Sequence, residues 1–291
     1  MDMPGIHPIV LVGINLGSIY AIMGLGLSLV FGVTKVLNYA QGAFFTWGAY
    51  ITWLLIEGQF NLPYGLAIAL TLVIMFFFGL GFERVIIYPL RRLKDWGWTA
   101  IIVTLGCALL LDNLALLIFG PRYKTLPPLV EGTFNLGGSM VLKHDVLVFV
   151  ASIVIVIILT LFLSKTREGM SLRAVAQDIV GAKITGLRIN WVYGLSFGLS
   201  AVLATIASIC IAPRTLINPY VGWVVFIKAF VVMVAGGLGS FKGVLVAAFI
   251  MGMVEAVTTY NLGAVWGLPI FLAALTIVLV FRPSGLFGTW E

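Results

Sequence analysis

Three features of this sequence invite a chemical reading: ionisable residues inside apolar runs, a Gly-x-Ser-x-Gly pentapeptide and a glycine-rich turn. Glu255 and Lys228 each interrupt a run that is otherwise apolar, Val244 to Tyr260 and Trp223 to Leu238. An ionisable group at membrane depth is costly and is kept for a substrate or ion pathway, or as half of a pair. The two runs are neighbours in the chain, so Glu255 is a candidate for a translocation path or for an ion pair with Lys228. Asp112 lies near the far end of the run Trp98 to Phe119, where it is expected in the headgroup zone. Gly194-Leu195-Ser196-Phe197-Gly198 matches the nucleophile elbow of hydrolases. A serine nucleophile needs a base, and the two histidines, His7 and His144, are expected outside the spans. The match also falls in a helix rather than a strand-turn-helix, so its glycines read as packing positions. The glycine-rich stretch 236–243 lacks the Lys-Ser/Thr end of a phosphate-binding loop, so this chain is not expected to bind ATP through one. Gly236, Gly237 and Gly239 are instead candidates for a tight turn and close helix packing. Cys107 and Cys210 both lie in apolar runs, and no Cys/His cluster is present; no metal or other cofactor is expected.

These residues must be held by membrane helices. The chain has 291 residues, 61% hydrophobic and 10% charged, against roughly a quarter charged in soluble domains. Apolar runs approaching the roughly 20 residues of a transmembrane helix recur throughout. The expected fold is all-α: one polytopic membrane domain over residues 1–291, with eight to nine spans and broken helices. The net charge of +6 follows from basic loops and does not argue for nucleic acid. The apolar start lacks the Lys or Arg of a cleavable signal. Ile9 to Phe31 forms the first span, where Gly13 and Gly17 would let another helix approach closely. The second run, Ala43 to Ile56, barely covers a bilayer unless its helix begins near Asn38. Asn38, Gln41 and Gly42 are therefore expected at membrane depth, beside a substrate path or at an interfacial turn. Polar irregular backbone is tolerated there only when buried in protein or lining a wet cavity. The long loop 121–145, with Pro127-Pro128 and Gly137-Gly138, reads as an external hairpin or irregular cap.

Residues 164–190 stand apart, carrying Lys165, Arg167, Arg173, Lys183 and Arg188 between two apolar runs. Leu172, Val175, Ile179 and Ala182 follow helical spacing, so the segment reads as a short helix with one apolar face. Ser171 is a candidate for its cap, and Gly181 or Gly186 for its end. Such a helix suits docking on a soluble partner; a solvated loop lying on lipid headgroups fits as well. If this segment is cytoplasmic, alternation over nine crossings places the N-terminus outside and the C-terminus inside. Twelve Lys and Arg then face the cytoplasm and four (Arg122, Lys124, Lys143 and Arg214) face outward, in accord with the positive-inside rule.

Three stretches together carry a family resemblance. Asn-Tyr-Ala-Gln-Gly-Ala-Phe-Phe-Thr-Trp-Gly-Ala-Tyr (38–50) follows a glycine-rich first span. Arg-Glu-Gly-Met-Ser-Leu-Arg-Ala-Val-Ala-Gln-Asp (167–178) precedes Ala182 and Gly186. Val-Ala-Gly-Gly-Leu-Gly-Ser-Phe-Lys-Gly (234–243) precedes Gly252 and Glu255. In this order they resemble the LivH-type permeases of branched-chain amino acid ABC transporters, over nearly the whole chain. Permeases for urea, short amides and small carboxylates look similar. The resemblance implies an inner-membrane importer subunit that works with two ABC ATPases, a related second permease and an extracytoplasmic binding protein, with ATP hydrolysed on separate subunits. It implies that Arg173, Ala176, Asp178, Ala182 and Gly186 contact an ATPase, and that Asn38, Gln41, Gly42 and Glu255 flank the path. At Gln41-Gly42-Ala43 relatives often carry His-Gly-Glu, so this chain lacks a charged acid there. That favours a less polar substrate contact. The competing class is an ion-coupled secondary transporter, which would need titratable groups such as Glu255 and Asp112 and usually internal repeats.

Overall fold

A computed structural model describes residues 6–136 and 139–288. Among the described residues, seven helical stretches are long and apolar enough to cross a bilayer. They contain α1 (Ile6–Thr34), α3 (Tyr64–Phe82), α5 (Trp96–Phe119), α6 (Lys143–Lys165), α9 (Ile189–Ile211), α11 (Phe241–Leu262) and α12 (Gly267–Phe281). Two shorter apolar helices, α2 (Gln41–Trp53) and α10 (Val221–Gly236), complete the nine expected runs. A π-helical turn, Leu54–Gly58, prolongs α2. Another, Glu83–Ile87, joins α3 to the short α4 (Tyr88–Leu90). Glu83 and Arg84 therefore lie in helix. Glu83 is buried and paired with Arg91, which lets the helix continue through it.

Burial follows the logic of a membrane protein. α1 and α9 are enclosed by other helices, whereas α3, α5, α6 and α12 present Phe77, Leu117, Ile158 and Val280 outward. An apolar belt this extensive on a water-soluble protein would be an aggregation surface; against acyl chains it is the matching solvent. The chain is a multi-pass membrane protein. Since lipid removes most of the hydrophobic drive between helices, small residues and polar contacts must hold the bundle together.

The most extensive helix pairing is between antiparallel α1 and α11. Gly13 faces Met253, Gly17 faces Phe249, and Gly32 faces the turn at Gly239. A Cβ at Gly252 would sit 2.5 Å from Gly17 N and 2.6 Å from Gly13 O. The Gly-x-x-x-Gly pair of the first span is thus the seat of α11. Likewise a Cβ at Gly79 would meet Phe197 O at 2.5 Å, and one at Gly198 would press on Phe76. The pentapeptide around Ser196 is a helix-packing surface of α9 against α3.

Beyond α5, strands β1 (Thr133–Leu136) and β2 (Ser139–Leu142) pair antiparallel as a short hairpin; its expected turn, Gly137-Gly138, lies outside the described residues. Lys124 and Ile217 form an isolated bridge that ties this loop to the α9–α10 connection. Arg214 pairs with Asp145 at the same end. His144 was expected outside the spans. It instead sits buried in the first turn of α6, with Nε2 2.9 Å from Cys210 O. Cys210 is 14 residues beyond Ser196 along α9, about 20 Å, so His144 is no base for that serine.

At the opposite end lies the polar segment, folded as α7 (Arg167–Gln177) and α8 (Ile179–Ile184). The expected single helix is broken at Asp178, which is extended (φ −149°, ψ 108°) and accepts a hydrogen bond from Val180 N at 2.9 Å. The break turns Ile179 outward, while Leu172, Val175 and Ala182 remain buried. The cap of α7 is Thr166, not Ser171: its hydroxyl accepts from Gly169 N at 3.0 Å. Chain direction changes immediately after α6, so the extended residue available for capping is Thr166. Gly186 ends α8 at φ +83°, with Gly186 N donating to Lys183 O and Leu187 N to Ala182 O, both at 3.1 Å. This is a Schellman motif, whose left-handed position favours glycine. α7 packs on α6, α9 and α1.

Replacing Gly252 by leucine should force α11 off α1 and lower the melting temperature of the detergent-purified protein, a cost of about 1–3 kcal/mol or more. A melting temperature unchanged in a fluorescence size-exclusion assay would contradict the packing described.

Candidate functional site

The centre of the bundle is where α2 and α10 begin. Ser200 is the middle residue of α9, and Gln41, the first residue of α2, bonds to it: Gln41 Nε2 donates to Ser200 O at 3.0 Å. Ser200 Oγ lies 2.8 Å from both Gln41 Oε1 and Gly26 O, sharing its one proton between them. α2 therefore starts at mid-depth. The chain leaves α1 at Thr34, turns at the exposed Lys35 and climbs back through residues 36–40, of which Asn38 and Ala40 are buried. The first turn of α10 meets the first turn of α2. Gly222 N donates to Thr46 Oγ1 at 3.1 Å, and a Cβ at Gly222 would collide with the carbonyl oxygen of Gly42. Two helix N-termini thus meet within the membrane, and their first N–H groups take local acceptors in place of intrahelical ones: Gln41 N donates to Asn38 O, Val221 N to Asn218 O and Trp223 N to Tyr220 O.

The re-entrant stretch is satisfied by local polar groups. Asn38 Oδ1 accepts from Ala40 N at 3.1 Å, and Thr104 Oγ1 accepts from Tyr39 N at 3.2 Å. Asn38 Nδ2 has no partner among the described residues. The residue lines a small cavity with Thr34 and Thr104, of about 10 Å³, the size of one water. On the other side of the crossing, Trp223 Nε1 donates to Asp112 Oδ2 at 2.6 Å, and Trp47 Nε1 to Leu111 O at 3.0 Å. Asp112 is 1% exposed, enclosed by protein. Its Oδ1 lacks a partner among the described residues.

Further along α10, Lys228 Nζ donates to Glu255 Oε1 at 2.5 Å, and Tyr20 OH donates to Glu255 Oε2 at 2.6 Å. Tyr20 in turn packs edge-on against Phe271 of α12. Glu255 and Lys228 do pair, and they join α1, α10 and α11.

Of the sequence-selected residues, Asn38, Gln41 and Gly42 come together at the crossing. Glu255 belongs to a separate cluster six residues along α10, about 9 Å from the Gly222 contact. Gly236 packs against the Gly243 backbone, where a Cβ on Gly236 would lie 2.5 Å from Gly243 C; Gly237 and Gly239 take positive φ in the α10–α11 turn. Gly243 thus packs directly on Gly236. The last carbonyls of α10 accept from the C-terminal segment, Leu286 N to Ala235 O at 2.8 Å and Phe287 N to Gly236 O at 3.0 Å. In the polar segment Arg173, Asp178 and Gly186 are exposed, Ala176 is half-buried and Ala182 is buried. Sequence reasoning missed Ser200, Thr46, Trp223 and Tyr20. The available signal was a hydroxyl or indole within a turn of a glycine in an apolar run. Among the described residues no group of three His, Cys, Asp or Glu side chains could hold a metal ion.

Helices interrupted at mid-depth, polar groups gathered where they start, and a capped helical pair on the basic face define a membrane transport protein of the permease class. The family described as "Branched-chain amino acid transport system / permease component" matches residues 9–285. The chain belongs to this family. It is 30% identical to the high-affinity branched-chain amino acid transport system permease protein BraD of Pseudomonas aeruginosa, over 96% of this chain and 94% of BraD. It is 28% identical to LivH of Escherichia coli K12, a permease protein of the same description, over 96% and 94%. To LivM of the same organism, also a branched-chain amino acid permease protein, it is 26% identical over 94% of this chain and 68% of LivM. No solved structure matches.

A buried pair left half-removed is worse than no pair, because one charge stays uncompensated. Lys228→Met alone should destabilise the purified protein by about 3–5 kcal/mol, and Lys228→Met with Glu255→Gln should recover most of that loss. Thermal denaturation of the single and double variants measures the coupling; equal loss in both would show that the two side chains do not depend on each other.

Proposed function

We propose that this chain is a permease subunit of an ATP-driven importer in the cytoplasmic membrane. With a second, related but different permease it forms the path for branched-chain or other small amino acids. An extracytoplasmic binding protein delivers the substrate, and two ABC ATPases supply the energy. The family match carries the transport assignment, and the presence of LivM alongside LivH among the relatives supports a paired permease. The N-terminus is placed outside and the C-terminus inside. In support, Lys35, Arg84 to Lys94, the 164–190 segment, Lys242 and Arg282 all belong to one end of the bundle.

The observation that favours ATPase docking is the build of α7–α8. Each helix is individually capped, and Leu172, Val175 and Ala182 anchor them to the bundle. Arg173 is exposed and makes no ion pair among the described residues. Arg173, Ala176, Asp178, Ala182 and Gly186 form the coupling element, in which Asp178 and Gly186 shape the surface and Arg173 contacts the ATPase. Asn38, Gln41 and Gly42 border the path where the half-helices meet. Glu255 acts there through its hold on Lys228 of α10. ATP and the loaded binding protein each favour a different arrangement of the spans, which is the physical requirement for coupled transport.

The test is reconstitution with the ATPases and binding protein in vesicles. Arg173→Glu should cut ATP-driven leucine uptake at least about tenfold, the scale of one lost charge-assisted contact, while the ATPases still hydrolyse ATP. Uptake at the unsubstituted rate would overturn the coupling role. Uptake of urea or a short amide in place of leucine would overturn the substrate assignment alone.

A further inference from the structure

An open groove of about 1470 Å³ runs between the basic end of α3 and helix α8. Phe77 and Leu80 of α3 and Ile179 and Val180 of α8 give it apolar walls; Phe77 is 64% exposed. Arg84, Lys183 and Arg188 line the same groove, and none makes an ion pair among the described residues. Its acid, Glu83, is already taken by Arg91. The groove therefore combines apolar walls with three uncompensated cations. The two properties are also ordered in depth. Phe77 lies two helical turns from Arg84 toward the membrane centre, about 10 Å, so the apolar part is at acyl-chain level and the cations are at headgroup level. Trp96 and Trp191 are at its edges, the residue type that favours the membrane interface.

We infer that this groove is a binding site for an anionic phospholipid of the cytoplasmic leaflet. Its phosphate is held by Arg84, Lys183 and Arg188, and one acyl chain lies against Phe77 and Leu80. A basic pocket between helices on the cytoplasmic side has the chemistry for such a headgroup. A soluble ATPase could cover the rim but could not fill the wall at Phe77, which belongs to the membrane-spanning stretch Tyr64–Leu90. The bound lipid would wedge α8 against α3, beside the proposed coupling surface. The inference rests on the orientation proposed above. Labelling of Lys183→Cys by a membrane-impermeant thiol reagent from either side tests that orientation separately.

The test uses the full chain in nanodiscs of phosphatidylcholine with or without phosphatidylglycerol, followed by detergent extraction and mass spectrometry of the retained lipid. Phosphatidylglycerol should be retained in preference to phosphatidylcholine. Each of Arg84→Gln, Lys183→Gln and Arg188→Gln should weaken that preference about fivefold, whereas Arg282→Gln, on the same face but outside the groove, should leave it unchanged. A photoactivatable phosphatidylglycerol on the unsubstituted chain should label peptides spanning 77–84 and 179–188, which decides the matter even if a variant fails to fold. Equal retention of both lipids, labelling elsewhere, or a Leu80→Cys crosslink to an ATPase in the assembled transporter with no lipid label would overturn the inference.

Discussion

The constraint on which this structure depends is that backbone N–H and C=O groups within hydrocarbon must find partners inside the protein. Two helices that start at mid-depth violate the simplest solution, a continuous helix from face to face. The chain meets the constraint by surrounding the break. Long α1 and α9 run unbroken beside it: the Ser200 carbonyl and hydroxyl bond the Gln41 amide, and the same hydroxyl reaches the Gly26 carbonyl of α1. Thr46 takes the orphan N–H of Gly222, and Thr104 that of Tyr39. Each of these groups is a hydroxyl or amide with no charge, so the break is stabilised without an ion at its centre. Buried unsatisfied polar groups cost about 1–3 kcal/mol each, so the polar set around α2 and α10 must be nearly complete for the irregular backbone to persist.

The charged pair takes a different place. Lys228 and Glu255 lie beside the break, bridging α10 to α11 and reaching α1 through Tyr20. An ion pair at this depth is a specificity device more than a source of stability. It fixes the rotation of α10 about its axis, which in turn aims Trp223 at Asp112 and Gly222 at Gly42. The arrangement also bears on the ion-coupled alternative. A coupling carboxylate needs access to water from each side in turn, and Glu255 is held by two donors within the packed bundle.

Much of this was legible in the sequence because it is written locally. Apolar run lengths marked the spans and singled out 43–56 as short. The shortfall placed Asn38 and Gln41 at membrane depth. Charge asymmetry separated the two faces. What stayed hidden depended on partners far along the chain. Nothing near Ser200 tells that it meets Gln41, 159 residues away, or that Trp223 finds Asp112, 111 residues away. Helical spacing made Ile179 look buried, because periodicity assumes an unbroken helix; the Asp178 cap shifted the phase. Ser171 resembled a cap for the same reason, since the start of α7 was set by the bend after α6 and not by the apolar pattern.

The connectivity also determines how motion at one face can reach the centre. α7 and α8 touch α6, α9 and α1 but pack little on α5. Gly169 lies so close to the Phe162 and Leu163 backbone that any Cβ there would clash, so α7 cannot slide along the end of α6 freely. A push on the polar segment therefore enters through α9, which follows it directly in the chain, and through α1. Ser200 of α9 holds the start of α2, and its hydroxyl also contacts Gly26 of α1. A shift of α9 relative to α1 cannot leave the three-way contact of Gly26, Ser200 and Gln41 intact, because the one Ser200 hydroxyl proton serves both Gly26 and Gln41. Such a shift is thus felt at the half-helix crossing, set where the short helices α2 and α10 meet and the long helices α1 and α9 pass.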